Sequence, residues 1–268
     1  NIVYIKFYTL IICLWCIIKI NKMAKNIKLA NILAYNSHVG RVTCSQIFKE
    51  DFLKSIFDER LEKSNAILDC GCGNGALLLS LDCKKIGLDI SLTNIKEAKN
   101  FMRGGYFAVG DAECLPFKDN SFEGIILNMV LHHLLNYKNC IESAKRVLKG
   151  GGKVYLFEGN SLGLIPIRPL LILRDFWLKL NGRYPAHELF AGRLSLLKIK
   201  KLFLDSGFDI CRLFGGETFV AELRRALENR RLFLFLVPVL NQIECRLSKV
   251  VPIIFRTYYG LIAIKREE

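Results

Sequence analysis

The spacing of apolar residues changes character along the chain. It opens with an almost unbroken apolar run over residues 7–18, set between Lys6 and Lys19. Further on, Ile47, Phe48, Phe52, Ile56, Phe57 and Leu61 recur at three- and four-residue steps, which predicts one amphipathic helix over 45–63. Past residue 65 the rhythm shortens. Runs rich in Ile, Val and Leu at 66–68, 86–90, 106–109, 124–127 and 153–157 read as strands, and helical stretches separate them. Ser91 stands where it can cap one such helix, with Ile95, Ala98 and Met102 on its inner side, while Ile141, Ala144, Val147 and Leu148 line another. Strands that alternate with helices predict an α/β fold whose parallel sheet is covered on both faces. Ligands of such sheets bind beyond the carboxyl ends of the strands, so those ends carry the chemistry to be read.

Composition narrows the classes. With 268 residues, 51% of them hydrophobic, the chain can fill a real core, which excludes a disordered chain. Its ten cysteines are scattered, as in a protein of a reducing cytosol rather than a short disulfide scaffold. No metal is expected, because Cys13 and Cys16 stand in the apolar run and Cys70 and Cys72 flank a single glycine. The net charge of +14 is uneven: the basic surplus is five over 1–64, one over 65–159 and eight over 160–268. It therefore says more about the flanks than about the strand ends. The charge forms no single stripe with interleaved aromatics, which disfavours nucleic acid. The run at 7–18 is short of the ~20 residues of a comfortable span. We expect Met23 to be the start and 1–22 to lie outside the folded domain, the alternative being a membrane-anchoring helix.

The first strand ends in LDCGCGNGA, residues 68–76, where Gly71, Gly73 and Gly75 allow a tight turn and a close approach to a ligand. Gly71, Gly73 and Ala76 also satisfy a dinucleotide pattern, so the glycines alone decide little. Asp69 discriminates: a carboxylate two positions before the first glycine repels a pyrophosphate and suits a cationic amine. The second strand ends at Asp89, which can accept hydrogen bonds from both hydroxyls of a ribose or can simply cap the helix that follows. After the third strand come Gly110, Asp111, Ala112 and Glu113, where a side-chain oxygen plus a backbone amide can read an adenine. The ligand so described has an amine, a ribose and an adenine. The Gly150, Gly151, Gly152 run lacks the lysine and hydroxyl of a nucleotide loop and is expected to form a turn before strand five.

In order along the chain, ILDCGCGNG (67–75), GLDIS (87–91), GDAECLPFKDNSFEGI (110–125), NMVLHHL (128–134) and RVLKGGGKVYLFE (146–158) closely resemble the class I S-adenosylmethionine-dependent methyltransferases, in particular the branch of the ubiquinone and menaquinone biosynthesis enzymes. The resemblance implies a Rossmann-like, doubly wound, mostly parallel seven-stranded sheet with an antiparallel last strand. It implies S-adenosyl-L-methionine as cofactor, with Asp69, Gly71, Cys72, Gly73 and Gly75 around its methionine part. Asp89 and Ile90 would hold the ribose, Asp111 and Ala112 the adenine, and Asn128, Met129 and Val130 would close the pocket. It also divides the chain into an apolar segment (1–22), a helical lid region (23–64), a cofactor-binding core (65–160) and the remainder of the domain (161–268). The last part carries lid-like insertions at 161–194 and 217–257 and the expected strands within 205–216 and 258–267.

Methyl transfer needs position from the protein, and a base only where the acceptor must lose a proton. His132 and His133 follow strand four at the mouth of the site; His133 is favoured by the resemblance, against a local loop-shaping role. The acceptor is expected to be a small or lipid-like molecule; the apolar patches at 161–180 and 233–255 read first as core or lid surface, the alternative being a face for a greasy substrate or an anionic bilayer beside their arginines. A nicotinamide oxidoreductase on the same glycine turn and a non-catalytic cofactor-binding module at a membrane are the competing classes.

Overall fold

The computed structural model describes residues 66–162 except 80, 82 and 103, and 194–267 except 217, 219 and 221–235, with positions 169, 172, 173, 176, 180 and 181 between them. The 1–22 segment, the 23–64 region with its 45–63 helix, and most of the 161–194 insertion lie outside the described residues. Seven strands, β1 (Ile67–Cys70), β2 (Lys85–Asp89), β3 (Tyr106–Val109), β4 (Phe122–Asn128), β5 (Leu148–Gly159), β6 (Phe208–Gly215) and β7 (Tyr258–Lys265), form one sheet in the order β3-β2-β1-β4-β5-β7-β6. The first five are mutually parallel, and β7 runs antiparallel between β5 and β6. The expected seven-stranded, mostly parallel sheet with an antiparallel last strand is therefore what forms, and the 161–268 part completes the same sheet.

The central strands are apolar without alternation because both faces are covered. On one face α3 (Tyr137–Val147) and α4 (Leu196–Asp205) bury Cys140, Ile141, Ala144, Ile199 and Phe203 against Leu68, Ile125, Leu127 and Leu156. On the other, α1 (Ala76–Leu79) and α2 (Leu92–Phe101) place Leu77, Leu78, Ile95 and Ala98 with Ile67, Ile126 and Phe157. Phe203, fully buried with its ring 5.3 Å from that of Phe208, anchors α4 to β6; truncation to Ala would cost roughly 3–5 kcal/mol. Ser91 caps α2 as the sequence predicts, its hydroxyl accepting from Asn94 N at 3.2 Å, and Ser195 caps α4 by accepting from Lys198 N at 3.3 Å.

Two boundaries differ from the sequence reading. Strand β1 runs on through Asp69, which pairs with Gly87 and Ile126, so this carboxylate is inside the strand and buried rather than beyond its end. The glycine run of 150–152 belongs to β5: Leu148 pairs with Phe122 and Lys153 with Gly124, so residues 149–152 bulge outward where a separate turn was expected. The bulge sits at the amino end of β5, away from the strand ends that bear the site.

Candidate cofactor and acceptor site

The strand order reverses between β1 and β4, where an open α/β sheet leaves a crevice at its carboxyl edge. The loop leaving β1 enters that crevice with Gly71, Gly73 and Gly75 at φ +80°, +55° and +79°, a region that glycine adopts without the steric cost other residues pay. At Gly71 the demand is double, since a Cβ would also collide with Val130 Cγ2 at the end of β4. The loop is pinned from the other side as well: Gly71 N and Cys72 N donate to Leu88 O at 2.6 and 3.0 Å. Cys72 packs inward against Gly87, and burial holds its thiol far up in the protonated state.

Asp69 and Asp89 meet this loop in opposite ways. Asp89 Oδ2 accepts from Gly73 N at 2.8 Å, and its Oδ1 accepts from Ser91 N at 2.8 Å and Asn94 Nδ2 at 3.2 Å. Burial pushes this carboxyl above its ordinary range, and those three bonds offset only part of that rise. Three of about four acceptor positions are thus taken, which leaves room for one ribose hydroxyl; a second requires a bond to be released. The helix-anchoring role and the ribose role coexist on one side chain. Asp69 has no such compensation. It is 2% exposed, its Oδ1 accepts no hydrogen bond, and burial first, then the charge of Asp89, push its carboxyl up to about 7. A buried, unpaired carboxylate is costly, and a cation placed against it removes the cost.

Asn128 lies two residues beyond Ile126, the cross-strand partner of Asp69, so strand alternation puts Asn128 on the face that carries Asp69. Its Oδ1 is also buried without a partner. Met129 then takes φ +57°, an uncommon conformation for a residue with a side chain, held by its N–H donating to Phe157 O at 2.8 Å. The chain thereby turns sharply out of β4 and brings Val130 onto Gly71. On the adenine side, Gly110 N donates to Asp89 O at 2.9 Å, Asp111 Oδ1 accepts from Glu113 N at 3.0 Å, and Ala112 is buried. Ile90 is half-buried at the end of β2. Glu113 is structural, accepting from Leu135 N and Asn136 N at 2.8 and 3.1 Å and so tying the loop after β3 to the loop after β4. The predicted positions from Asp69 to Asp111 and Val130 thus gather along one edge of neighbouring strands.

Sequence reasoning missed Glu158. This residue closes β5, is completely buried, and accepts from Leu131 N at 2.7 Å and Gly159 N at 3.3 Å. Its Oε2 also stands 2.7 Å from His132 Nδ1. With acceptors only on the carboxylate, the neutral imidazole places its proton on Nδ1 and its lone pair on Nε2. His133 packs on its neighbour, ring centroids 3.8 Å apart, while the buried carboxylate is given to His132. The available signal was a lone acid ending an apolar strand, VYLFE, which a buried position obliges to find a partner. Tyr259, opposite Glu158 on β7, is buried with its hydroxyl unbonded, and burial together with the Glu158 charge keeps that hydroxyl protonated.

Residues 68–156 match the model of a methyltransferase domain family. Over these residues the chain carries a methyltransferase domain. It is 40% identical over 104 residues to the tRNA (carboxymethyluridine(34)-5-O)-methyltransferase of Arabidopsis thaliana, covering 37% of this chain and 25% of that one. Similarity to the demethylmenaquinone methyltransferase of Oceanobacillus iheyensis is lower but longer, 28% over 191 residues, covering 60% of this chain and 76% of that one. The chain spans about half or less of the first curated relatives it matches, 45% and 42% of two proteins of Methanocaldococcus jannaschii among them. Among solved structures, a methyltransferase of Methanosarcina mazei superposes with TM-score 0.54 at 20% identity, covering 81% of this chain and 98% of that one. The [4+2]-cyclase SpnF superposes with TM-score 0.53 at 18% identity over 87% and 86%, so the fold alone does not fix the reaction. Among the described residues no helix is long and apolar enough to cross a membrane.

Proposed function

We propose that this protein transfers a methyl group from S-adenosyl-L-methionine to a small or lipid-like acceptor. The observation that carries the reading is the unpaired, buried Asp69 carboxylate beside a loop of three left-handed glycines. This donor set fits the cofactor: Asp69 would hold its ammonium, Asp89 a ribose hydroxyl, and Asp111 with the Ala112 backbone its adenine. When bound, the cofactor would supply an electrophilic methyl on a sulfonium sulfur; an acceptor bonding to that carbon in line with the C–S bond would break it and leave the neutral thioether S-adenosylhomocysteine. Asp69 and the loop backbone orient the amino-acid part, and Val130 against Gly71 keeps the loop after β4 closed on it. The same carboxylate opposes a diphosphate, which weighs against a nicotinamide oxidoreductase.

Where the acceptor is an O–H or N–H group, His132 Nε2 takes its proton, and Glu158 positions the ring in the productive tautomer and stabilises the imidazolium that results. This moves the base from His133, favoured on resemblance, to His132. A lipid-like acceptor is supported by the length of the match to the demethylmenaquinone enzyme, which covers more of both chains than the match to the tRNA enzyme.

Isothermal titration of the full chain with S-adenosylhomocysteine and with NADH tests the cofactor assignment. Binding of the first and not of the second is expected; binding of NADH alone overturns it. His132→Ala is expected to lower turnover by about 100-fold with cofactor affinity unchanged, and Glu158→Gln to lower it by less while changing the 15N shifts of the His132 ring nitrogens. Full turnover in His132→Ala removes this residue from the chemistry.

A further inference from the structure

Both insertions spring from the edge of the sheet that bears the site. The first leaves β5 at Asn160, past its carboxyl end. The second leaves β6 past Gly215 and returns at Thr257 to β7, whose antiparallel direction starts it at the same edge. The second insertion is fastened there. Asn160 Nδ2 donates to Ile254 O and Arg256 O at 2.8 and 2.9 Å, Arg256 Nη1 donates to Gly215 O at 3.1 Å, and Thr218 N donates to Glu244 Oε1 of α5 (Val237–Val250) at 2.8 Å.

What these insertions show to solvent is unusual for a soluble surface. In the first, the helical positions Ile172, Leu173, Phe176 and Leu180 are 61%, 65%, 61% and 70% exposed, at one-, three- and four-residue steps. In α5, Val239, Ile243 and Val250 are exposed at four- and seven-residue steps, interleaved with exposed Arg246 and Lys249. The single acid of α5, Glu244, is used inward on Thr218, so α5 itself offers no outward carboxylate beside those cations. Residues 161–194 repeat the bias, with five basic side chains against two acidic. Apolar side chains interleaved with cations on α5, a helix of 14 residues and so too short to span, together with the exposed apolar positions of a segment rich in basic residues, match an anionic bilayer interface: the acyl boundary takes the apolar groups and lipid headgroups take the cations.

We propose that the faces of Ile172–Leu173–Phe176–Leu180 and Val239–Ile243–Val250 dock this protein on an anionic membrane, with the mouth of the site turned to the lipid. The docking stands on these two faces alone and does not require the methyl-transfer reading; if both hold, the acceptor enters from the bilayer.

The test is co-sedimentation of the full chain with phosphatidylcholine vesicles and with vesicles containing phosphatidylglycerol, at low and high salt. Wild-type protein is expected to partition onto the anionic vesicles on the order of tenfold more strongly, with a loss of binding in high salt. Phe176→Asp with Leu180→Asp is expected to abolish binding to both vesicle types, and Arg246→Glu with Lys249→Glu to erase the anionic preference. In all of these variants S-adenosylhomocysteine titration and the melting temperature report whether the fold and the site are intact. Because Arg246 and Lys249 are exposed, the second pair remains informative should the first fail to fold. Absence of wild-type binding overturns the proposal, as does binding that survives both pairs and so belongs to another part of the chain. Light scattering that shows a dimer dissociated by Phe176→Asp, without vesicle binding, assigns the face to a second copy and overturns it too.

Discussion

Asp69 should make cofactor binding depend on pH in a way no surface carboxylate would. In the free protein its carboxyl titrates near 7 because it is buried beside Asp89. An ammonium against Oδ1 binds only the ionised form and holds it ionised. Affinity is therefore proportional to the ionised fraction, about three quarters at pH 7.5 and about 3% at pH 5.5, which is a loss of about 25-fold or ~1.9 kcal/mol over two pH units. Titration calorimetry with S-adenosylhomocysteine between pH 5.5 and 7.5, where the ligand amine stays charged, measures it directly. Asp69→Asn should bind weakly at pH 7.5, by roughly 100-fold, and show almost no pH slope, so that the gap between the two proteins narrows to about fourfold at pH 5.5. The same residue acts oppositely on folding. Its folded pKa is raised above the unfolded value, so its contribution to stability is complete below about 3.8 and is lost as pH rises through 7, on the order of 4 kcal/mol in all. The free Asp69→Asn protein should accordingly melt higher than wild type at pH 7.5. A wild-type affinity that is flat from pH 5.5 to 7.5, or a slope that persists in Asp69→Asn, would refute the assignment of the ammonium to this carboxylate.

Other outcomes follow from the same geometry. Gly71→Ala forces a side chain into φ +80° and into Val130, and is expected to abolish cofactor binding and lower the melting temperature; adding Val130→Ala should restore part of the stability, since it relieves the collision but not the backbone strain. Asp89→Ala should weaken S-adenosylhomocysteine by about 1.5–3 kcal/mol and also destabilise the free protein, because three internal bonds go with the ribose contact; unchanged calorimetry would exclude the ribose role. Among the described cysteines, alkylation followed by mass mapping should label the exposed Cys114 and Cys211 first and leave Cys70, Cys72 and Cys140 protected, as a hydrogen bond with Cys140 and then burial raise the Cys70 thiol and burial raises that of Cys72; early labelling of Cys72 would show that the glycine loop opens in the free protein.

Periodicity and motif order made the parallel sheet, its coverage on both faces and the row of strand-end residues from Asp69 to Val130 legible in the sequence. Those properties are local: an apolar run without alternation must be buried on both sides, and a glycine three times in five residues marks a turn wherever the chain goes. The cap at Ser91 belongs to the same class, depending on a neighbour three residues away. Glu158 does not. It is 26 residues from His132 in sequence, and only the pairing of β4 with β5 sets the two side by side, so one of two adjacent histidines receives a carboxylate for a reason that neither motif contains. Asp69 shows the division within one residue. Its type and position before the glycines were readable, but its burial inside β1, the open lone pair and the raised pKa come from the strands packed around it. Distance in space, and the removal of water that accompanies it, is what tertiary structure adds to a residue's chemistry.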